Sequence, residues 1–304
     1  MPWGRAWWFV FMLAFAATAV AEEVLPFRGL SSSTPRRWLS NSTLFVLSSA
    51  VMRCVSGIAF ALMIRAVSYG VLNRVAVPYS VQFAVGFAAL DLTTYISHRL
   101  LHAYNPMWRV HQVHHSETDM DLTTGIRFHP IETLLQQGLS LVTIALLGIP
   151  PGVLGIAALV FVVQDFFVHA NLRIPESADR MLRLLIVTPA MHRAHHSEAI
   201  PQQNTNFGTV FSLWDRLFGT YLAGHLPGVS QERCGLVEMP NGSEVSAARL
   251  LFLPFRRTSR ENLLADTKKP IISIRERMNA AAPPPDQVLL EIGPSSNTKT
   301  LSGR

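Results

Sequence analysis

The 32 residues from Thr133 to Gln164, TLLQQGLSLVTIALLGIPPGVLGIAALVFVVQ, contain no charged side chain. As a single helix this run would be about 48 Å long, against a hydrocarbon core of about 30 Å. Its middle, Gly148-Ile149-Pro150-Pro151-Gly152, breaks a helix, because proline lacks a backbone donor and clashes with the preceding turn. The stretch therefore predicts a helical hairpin that enters and leaves a membrane on one side. Histidines stand at both of its ends.

The rest of the composition agrees with a membrane chain. Of 304 residues, 49% are hydrophobic and only 15% charged, whereas soluble domains carry about 25% charged residues. Mean hydropathy is +0.26. Two cysteines, Cys54 and Cys234, make neither a disulfide framework nor a four-cysteine zinc site. The net charge of +6 comes without a basic block, so it marks arginines at membrane surfaces rather than a nucleic-acid partner.

Further apolar stretches lie before the hairpin. Residues 6–21 read either as a signal peptide cut after Ala21 or as a short first span. Residues 44–64 and 77–97 are each long enough to cross the bilayer, with Arg53 and Asp91 as their only charges. If 44–64, 77–97 and the hairpin all span, segments 98–132 and 165–230 share a face with the loop 22–43. That loop carries Arg28, Arg36 and Arg37, which favours the cytoplasm and makes 6–21 an uncleaved first span. The chain thus divides into N-terminal membrane segments (1–83), a catalytic region (84–221), a mixed peripheral segment (222–257) and a polar tail (258–304). Within the peripheral segment, the apolar patch RLLFLPF at 249–255 is placed on the membrane. The tail, with Pro283-Pro284-Pro285 and a Ser/Thr/Lys end, is expected to be disordered.

Ten of eleven histidines lie between His98 and His196. His98 and His102 are four apart, an i,i+4 pair on one helical face. His111, His114 and His115 repeat that geometry as H-x-x-H-H, and so do His192, His195 and His196. His169 follows the hairpin, four residues after Asp165. Packing alone does not explain eight imidazoles in three such motifs, since burying them together leaves many donors and acceptors to satisfy. Neutral imidazole binds first-row metals well, with iron, zinc and copper all suited to an all-nitrogen site. Eight ligands exceed what one metal needs, so two metals are the simplest reading.

These motifs resemble the sterol desaturase/fatty acid hydroxylase superfamily of membrane-bound di-iron enzymes. The resemblance rests on Asp91, Tyr95, His98-Arg99-x-x-His102, His111-x-x-His114-His115, Arg127-Phe128-His129-Pro130 and His169-Ala170-Asn171. It continues through His192-x-x-His195-His196, Asn206-Phe207-Gly208 and Trp214-Asp215-Arg216-Leu217-Phe218-Gly219-Thr220, covering roughly 84–221. It implies an all-α, multi-span integral membrane bundle with a cytosolic, histidine-rich metal-binding cap. It also implies His98, His102, His111, His114, His115, His192, His195 and His196 as ligands of two irons that activate dioxygen, with His169 as a ninth. Asp165, where some relatives have a further histidine, is read as a carboxylate ligand, as a group orienting His169 from behind, or as a helix-surface group, the second being favoured. Asn206 is assigned either to a metal-bound water or to capping a turn, and His129 to holding a loop. Trp214 and Asp215 read as structural.

The reaction implied is hydroxylation or desaturation of a lipid drawn from the bilayer. Hydroxylation is favoured because it places one carbon rather than two. No Gly-rich dinucleotide fingerprint or iron–sulfur cysteine set occurs. Electrons are therefore expected from a separate protein, with Arg99, Arg109 and Arg193 either as docking charges or as partners of carboxylates behind the ligands. The alternative of another class is a membrane-embedded zinc hydrolase, with Glu117, Glu132 or Glu198 as general base.

Overall fold

The computed structural model describes residues 2–224, 233–242 and 245–256, and among them the secondary structure is helical, with isolated β-bridges but no strand. The expected tail at 258–304 lies outside the described residues. The long helices are α1 (Pro2–Val24), α2 (Thr34–Val67), α4 (Tyr79–Ala103), α6 (Pro130–Leu147) and α7 (Pro151–His169), with the single turn α3 (Val71–Arg74) after α2. Shorter pieces form the cap: α5 (Asn105–His115), a 3₁₀ turn (Leu122–Ile126), α8 (Glu176–Leu182), α9 (Pro189–His195), α10 (Ile200–Gln203), α11 (Leu213–Leu217) and α12 (Ala247–Phe252).

The hairpin forms as its sequence dictates. His129 caps α6 through its side chain, and Pro130 and Pro151 occupy first turns, where a missing N–H costs nothing. Gly148 ends α6 at φ +70°, a left-handed conformation that suits glycine. Its backbone presses against Gly70, leaving no room for a Cβ there. Both outer ends of the hairpin then reach the histidine cap.

Among the described residues, three helices are long and apolar enough to cross a membrane: Trp7–Val24, Pro130–Leu147 and Pro151–His169. Helix α6 buries only Glu132 and Ile144 and exposes Ile131, Leu135, Val142 and Leu146, the pattern of a helix solvated by lipid rather than water. The expected spans 44–64 and 77–97 fall on α2 and, from Tyr79 onward, on α4, and neither is among those three. Helix α2 starts ten residues before the apolar run because its polar first turns belong to the cap. There Arg37 pairs with Asp121 at 2.6 Å, and Asn41 donates to Thr123. Arg37 is thus a wholly buried structural cation rather than a loop charge.

Two apolar clusters join the long helices. Leu90, Ile144, Ile149, Val153 and Ala157 seal α4 against the hairpin. Phe11, Leu122, Ile126 and Phe166 seal α1 and the 3₁₀ turn against α7. The last turn of α1 is tied in as well: Glu22 Oε1 accepts from the backbone N–H groups of Leu122 (2.8 Å) and Asn171 (2.6 Å). The 249–255 patch is only half external. Leu250 and Leu253 pack with Leu44 and Val113, while Phe252 and Phe255 are exposed.

Arg127 organises the cap interior. It donates to the Val113 and Gly242 carbonyls, to Asn41 Oδ1 and to Ser116 Oγ, and lies 3.4 Å from Glu117 Oε2. A buried guanidinium is tolerated when its donors are matched in this way.

Candidate metal centre

Helix periodicity brings the nine histidines to one place. Helix α4 supplies His98 and His102 from one face, and α5 supplies His111, His114 and His115 from its last turns. Helix α7 ends on His169, and α9 contributes His192 and His195 with His196 as its C-cap. They separate into two groups. His98, His102, His111, His115 and His195 form one, and His114, His169, His192 and His196 the other. Within each group the ligand nitrogens all lie within 4.8 Å of one another. Neighbours in sequence divide between the groups: His114 and His115 go to different ones, and so do His195 and His196.

The rings are held from outside. His98 Nδ1 lies 3.0 Å from the Phe207 carbonyl and His195 Nδ1 lies 2.7 Å from that of Thr205. His102 Nδ1 lies 3.3 Å from Asn204 Oδ1, and His111 Nδ1 donates to Glu132 Oε1 at 2.7 Å. His169 Nδ1 donates to the Asp165 carbonyl at 2.7 Å. The opposite nitrogens face inward. His102 Nε2 and His115 Nε2 approach to 3.1 Å, His114 Nε2 and His169 Nε2 to 3.2 Å, and His192 Nε2 and His169 Nε2 to 2.9 Å.

The donor set fits metal ions. The inward nitrogens of His98 and His195, and both ring nitrogens of His196, are buried and have no hydrogen-bond partner among the described residues. Buried polar atoms left in this way are costly unless something coordinates them. Burial, with neighbouring imidazoles adding to it, holds His114, His115, His192 and His196 well below the usual imidazole range. Burial does the same for His195. Neutral rings are the form that ligates, and outer-nitrogen hydrogen bonds fix which nitrogen is offered.

The residues assigned to stand behind the ligands act largely through other groups. Asp165 orients His169 by its main-chain carbonyl rather than its carboxylate. Asn206, at φ 54°, donates to the Met191 and Leu222 carbonyls and accepts from Leu222 N–H. Its side chain is thus spent on pinning the strained turn between α10 and α11. His129 caps α6 and approaches the Leu251 carbonyl at 3.2 Å.

Three carboxylates carry support whose partners the motifs did not reveal, although Asp91 and Asp215 belong to them. Glu132, wholly buried, takes the His111 bond and another from Gln136. Its place one turn after His129-Pro130 was the available signal. Asp91 accepts from Val210 N, Phe211 N and Trp214 Nε1. Asp215 accepts from Phe207 N, Gly208 N and Thr220 Oγ1. Asp91 and Asp215 together fix the loop whose Phe207 carbonyl holds His98. Arg193 is no docking charge: it is buried, reaches the Ala170 carbonyl and stacks over Phe27 at 3.9 Å.

An apolar groove of about 310 Å³ runs between α4, α5 and α6. Ser97 and Leu101, the neighbours of His98 and His102, line it together with Met107, Leu134, Leu139 and Val142.

Comparison with known proteins gives a consistent picture. A profile of the fatty acid hydroxylase family matches residues 83–220. The chain is similar to an ornithine lipid hydroxylase of Rhizobium tropici, 30% identical over 207 residues, covering 67% of this chain and 60% of the relative. It is similar to alkylglycerol monooxygenases of Danio rerio, 29% identical over 56% of this chain and 36% of the relative, and of Homo sapiens, 32% identical over 45% and 30%. It thus spans about a third to three fifths of the length of these relatives. No solved structure matches.

Proposed function

The chain belongs to the fatty acid hydroxylase family through residues 83–220, and from that premise we propose that it is a membrane lipid hydroxylase holding two irons. The observation that carries the proposal is the pair of adjacent, wholly histidine-built clusters, with nine imidazoles aimed inward. When bound, two irons supply dioxygen activation, so that one oxygen atom enters a C–H bond and the other leaves as water at the expense of two electrons and two protons.

The protein's own part is placement. Nδ1 contacts from Phe207, Thr205, Asn204, Glu132 and Asp165 hold the rings so that metal binding costs little reorganisation. The groove walled by Leu101, Leu134, Leu139 and Val142 receives an aliphatic chain and excludes water from it. Its position among apolar helices lets the substrate enter from the bilayer. The curated relatives bear the names of ornithine lipid and alkylglycerol enzymes, which supports an amphiphilic lipid with an alkyl or acyl chain as substrate. A separate protein delivers the electrons, and the metal cap faces the cytoplasm.

The hydrolase reading lacks a base. Glu117 lies between Arg127 and Arg37, Glu132 is committed to His111, and Glu198 pairs with Arg233 at the surface. The test is metal content and Mössbauer spectroscopy of protein expressed with iron and purified anaerobically, followed by mass spectrometry of lipids from cells with and without the gene. Two irons per chain and lipids heavier by one oxygen are expected. Zinc that iron supplementation does not displace, with lipid cleavage products, would overturn the proposal.

A further inference from the structure

One edge of the cap shows a contiguous apolar surface that the metal chemistry does not use. Met181, Leu184, Leu185, Leu213, Leu217 and Phe218 are each between 46 and 72% exposed. They come from two segments laced into one unit. Val187 N–H donates to the Val210 carbonyl, Ser212 N–H to that of Leu185, and Ser212 Oγ and Arg216 both to that of Arg183. Six large side chains gathered in this way exceed what a soluble surface normally leaves to water.

The depth of this edge follows from its anchors. Phe211 packs on Phe87 of α4 at 5.8 Å, and Asp91 of α4 takes the Val210, Phe211 and Trp214 donors. Phe87 and Asp91 precede His98 by eleven and seven residues, which is about 16 and 10 Å along the helix. On the other side, Gln164 of α7 donates to the Val187 carbonyl, about 7 Å before His169 along that helix. The unit therefore hangs from the histidine centre along α4 and α7, beside their apolar turns. Arg180, paired with Glu176 at 3.9 Å, and Arg216, which donates to the Arg183 carbonyl and stacks over Tyr221 at 3.7 Å, are exposed beside it.

We infer that residues 181–187 and 211–218 form an interfacial anchor, with Met181, Leu184, Leu185, Leu213, Leu217 and Phe218 immersed among the acyl chains of the leaflet that the cap faces. The occupant is lipid because the unit is tied through Val187 to Gln164 of α7, a helix long and apolar enough to cross a membrane. Arg180 and Arg216 meet the phosphates above it, as basic side chains do at such boundaries. The inference rests on these helices lying in a bilayer and is independent of the reaction catalysed.

Spin labels on the full chain in nanodiscs holding one copy each test it. Leu185→Cys and Leu217→Cys, in a Cys54→Ser background, are compared with Leu146→Cys on α6 and Arg233→Cys on the cap. The expected result is collision with oxygen several-fold above collision with a water-soluble nickel chelate, as at position 146 and unlike position 233. Footprinting of the unsubstituted protein is the second measurement: Met181 should oxidise several-fold more slowly in nanodiscs than in a peptide of the same sequence. Labels as open to nickel as that at position 233 would overturn the inference. So would shielding from both reagents that appears only with two copies per disc or only on adding an electron-donor protein, since either would assign the surface to a protein partner.

Discussion

The contact between Glu132 and His111 gives the most direct handle on the centre. Glu132→Gln keeps the shape and an oxygen that can still accept from Nδ1, but replaces the carboxyl group behind the ring with an amide. Glu132→Ala removes the acceptor altogether. Hydrogen-bond partners behind metal-bound histidines are worth about 10- to 100-fold in affinity, which is about 1.4–2.7 kcal/mol. The Gln variant should fall at the lower end and the Ala variant at the upper. Fold stability should respond differently. Glu132 Oε2 has no hydrogen-bond partner among the described residues, so the Gln variant exchanges one uncompensated buried group for another. Its metal-free melting temperature should shift by the equivalent of about 1 kcal/mol or less. The assay is anaerobic iron titration against a chelator, read beside the metal-free melting curve. Wild-type affinity in Glu132→Ala would refute the reasoning. Equal losses of affinity and metal-free stability in Glu132→Gln would show that Glu132 supports the fold rather than the ligand.

Other expectations follow from the same structure. Asp91→Ala strands two backbone donors and the Trp214 indole, at about 1–3 kcal/mol each, and should lower the melting temperature more than Asp91→Asn; equal melting curves would contradict this. Gly70→Ala pushes a methyl into the Gly148 backbone and should cost at least about 1–3 kcal/mol, seen as reduced yield and earlier denaturation. For metal-stripped protein the histidines set the acid limit. His114, His115, His192, His195 and His196 are held well below their unfolded value of 6.5. The unfolded chain then binds more protons below that pH, and stability present above it is lost on acidification. Each group contributes up to about 1.4 kcal/mol per pH unit, so melting temperature should fall steeply from pH 6.5 downward. A flat profile would show that these rings titrate freely. Chelation at pH 7 should also lower the melting temperature, because metal binds the folded state alone.

Much of this architecture is written locally in the chain. The hairpin needs only an uncharged run with Gly148, Pro150 and Pro151 in its middle, and the histidine triplets need only 3.6-residue periodicity. What the spacing could not reveal is which distant group stands behind each ring. Asn204, Thr205 and Phe207 reach His102, His195 and His98 through a turn held by Asp215 and by Asn206 at positive φ. That arrangement depends on tertiary closure. Hydropathy likewise misplaced the start of α2. Residues 34–43 look like a loop because they are polar, yet Arg37 and Asn41 are polar for the cap they enter. Arg193 shows the converse: spacing beside a ligand motif left docking and an inward pairing role both open, and the folded chain buries it against Phe27.

The division of neighbouring histidines between the two groups has a consequence for how such a centre can be built or lost. A peptide unit moves the chain by 3.8 Å, so His114–His115 and His195–His196 act as two rigid rungs joining the clusters. Fraying at the end of α5 or α9 withdraws a donor from each cluster at once. Substitutions that unwind either helix end should therefore remove metal from both clusters together, whereas those at His98, His102 or His169 act on one cluster.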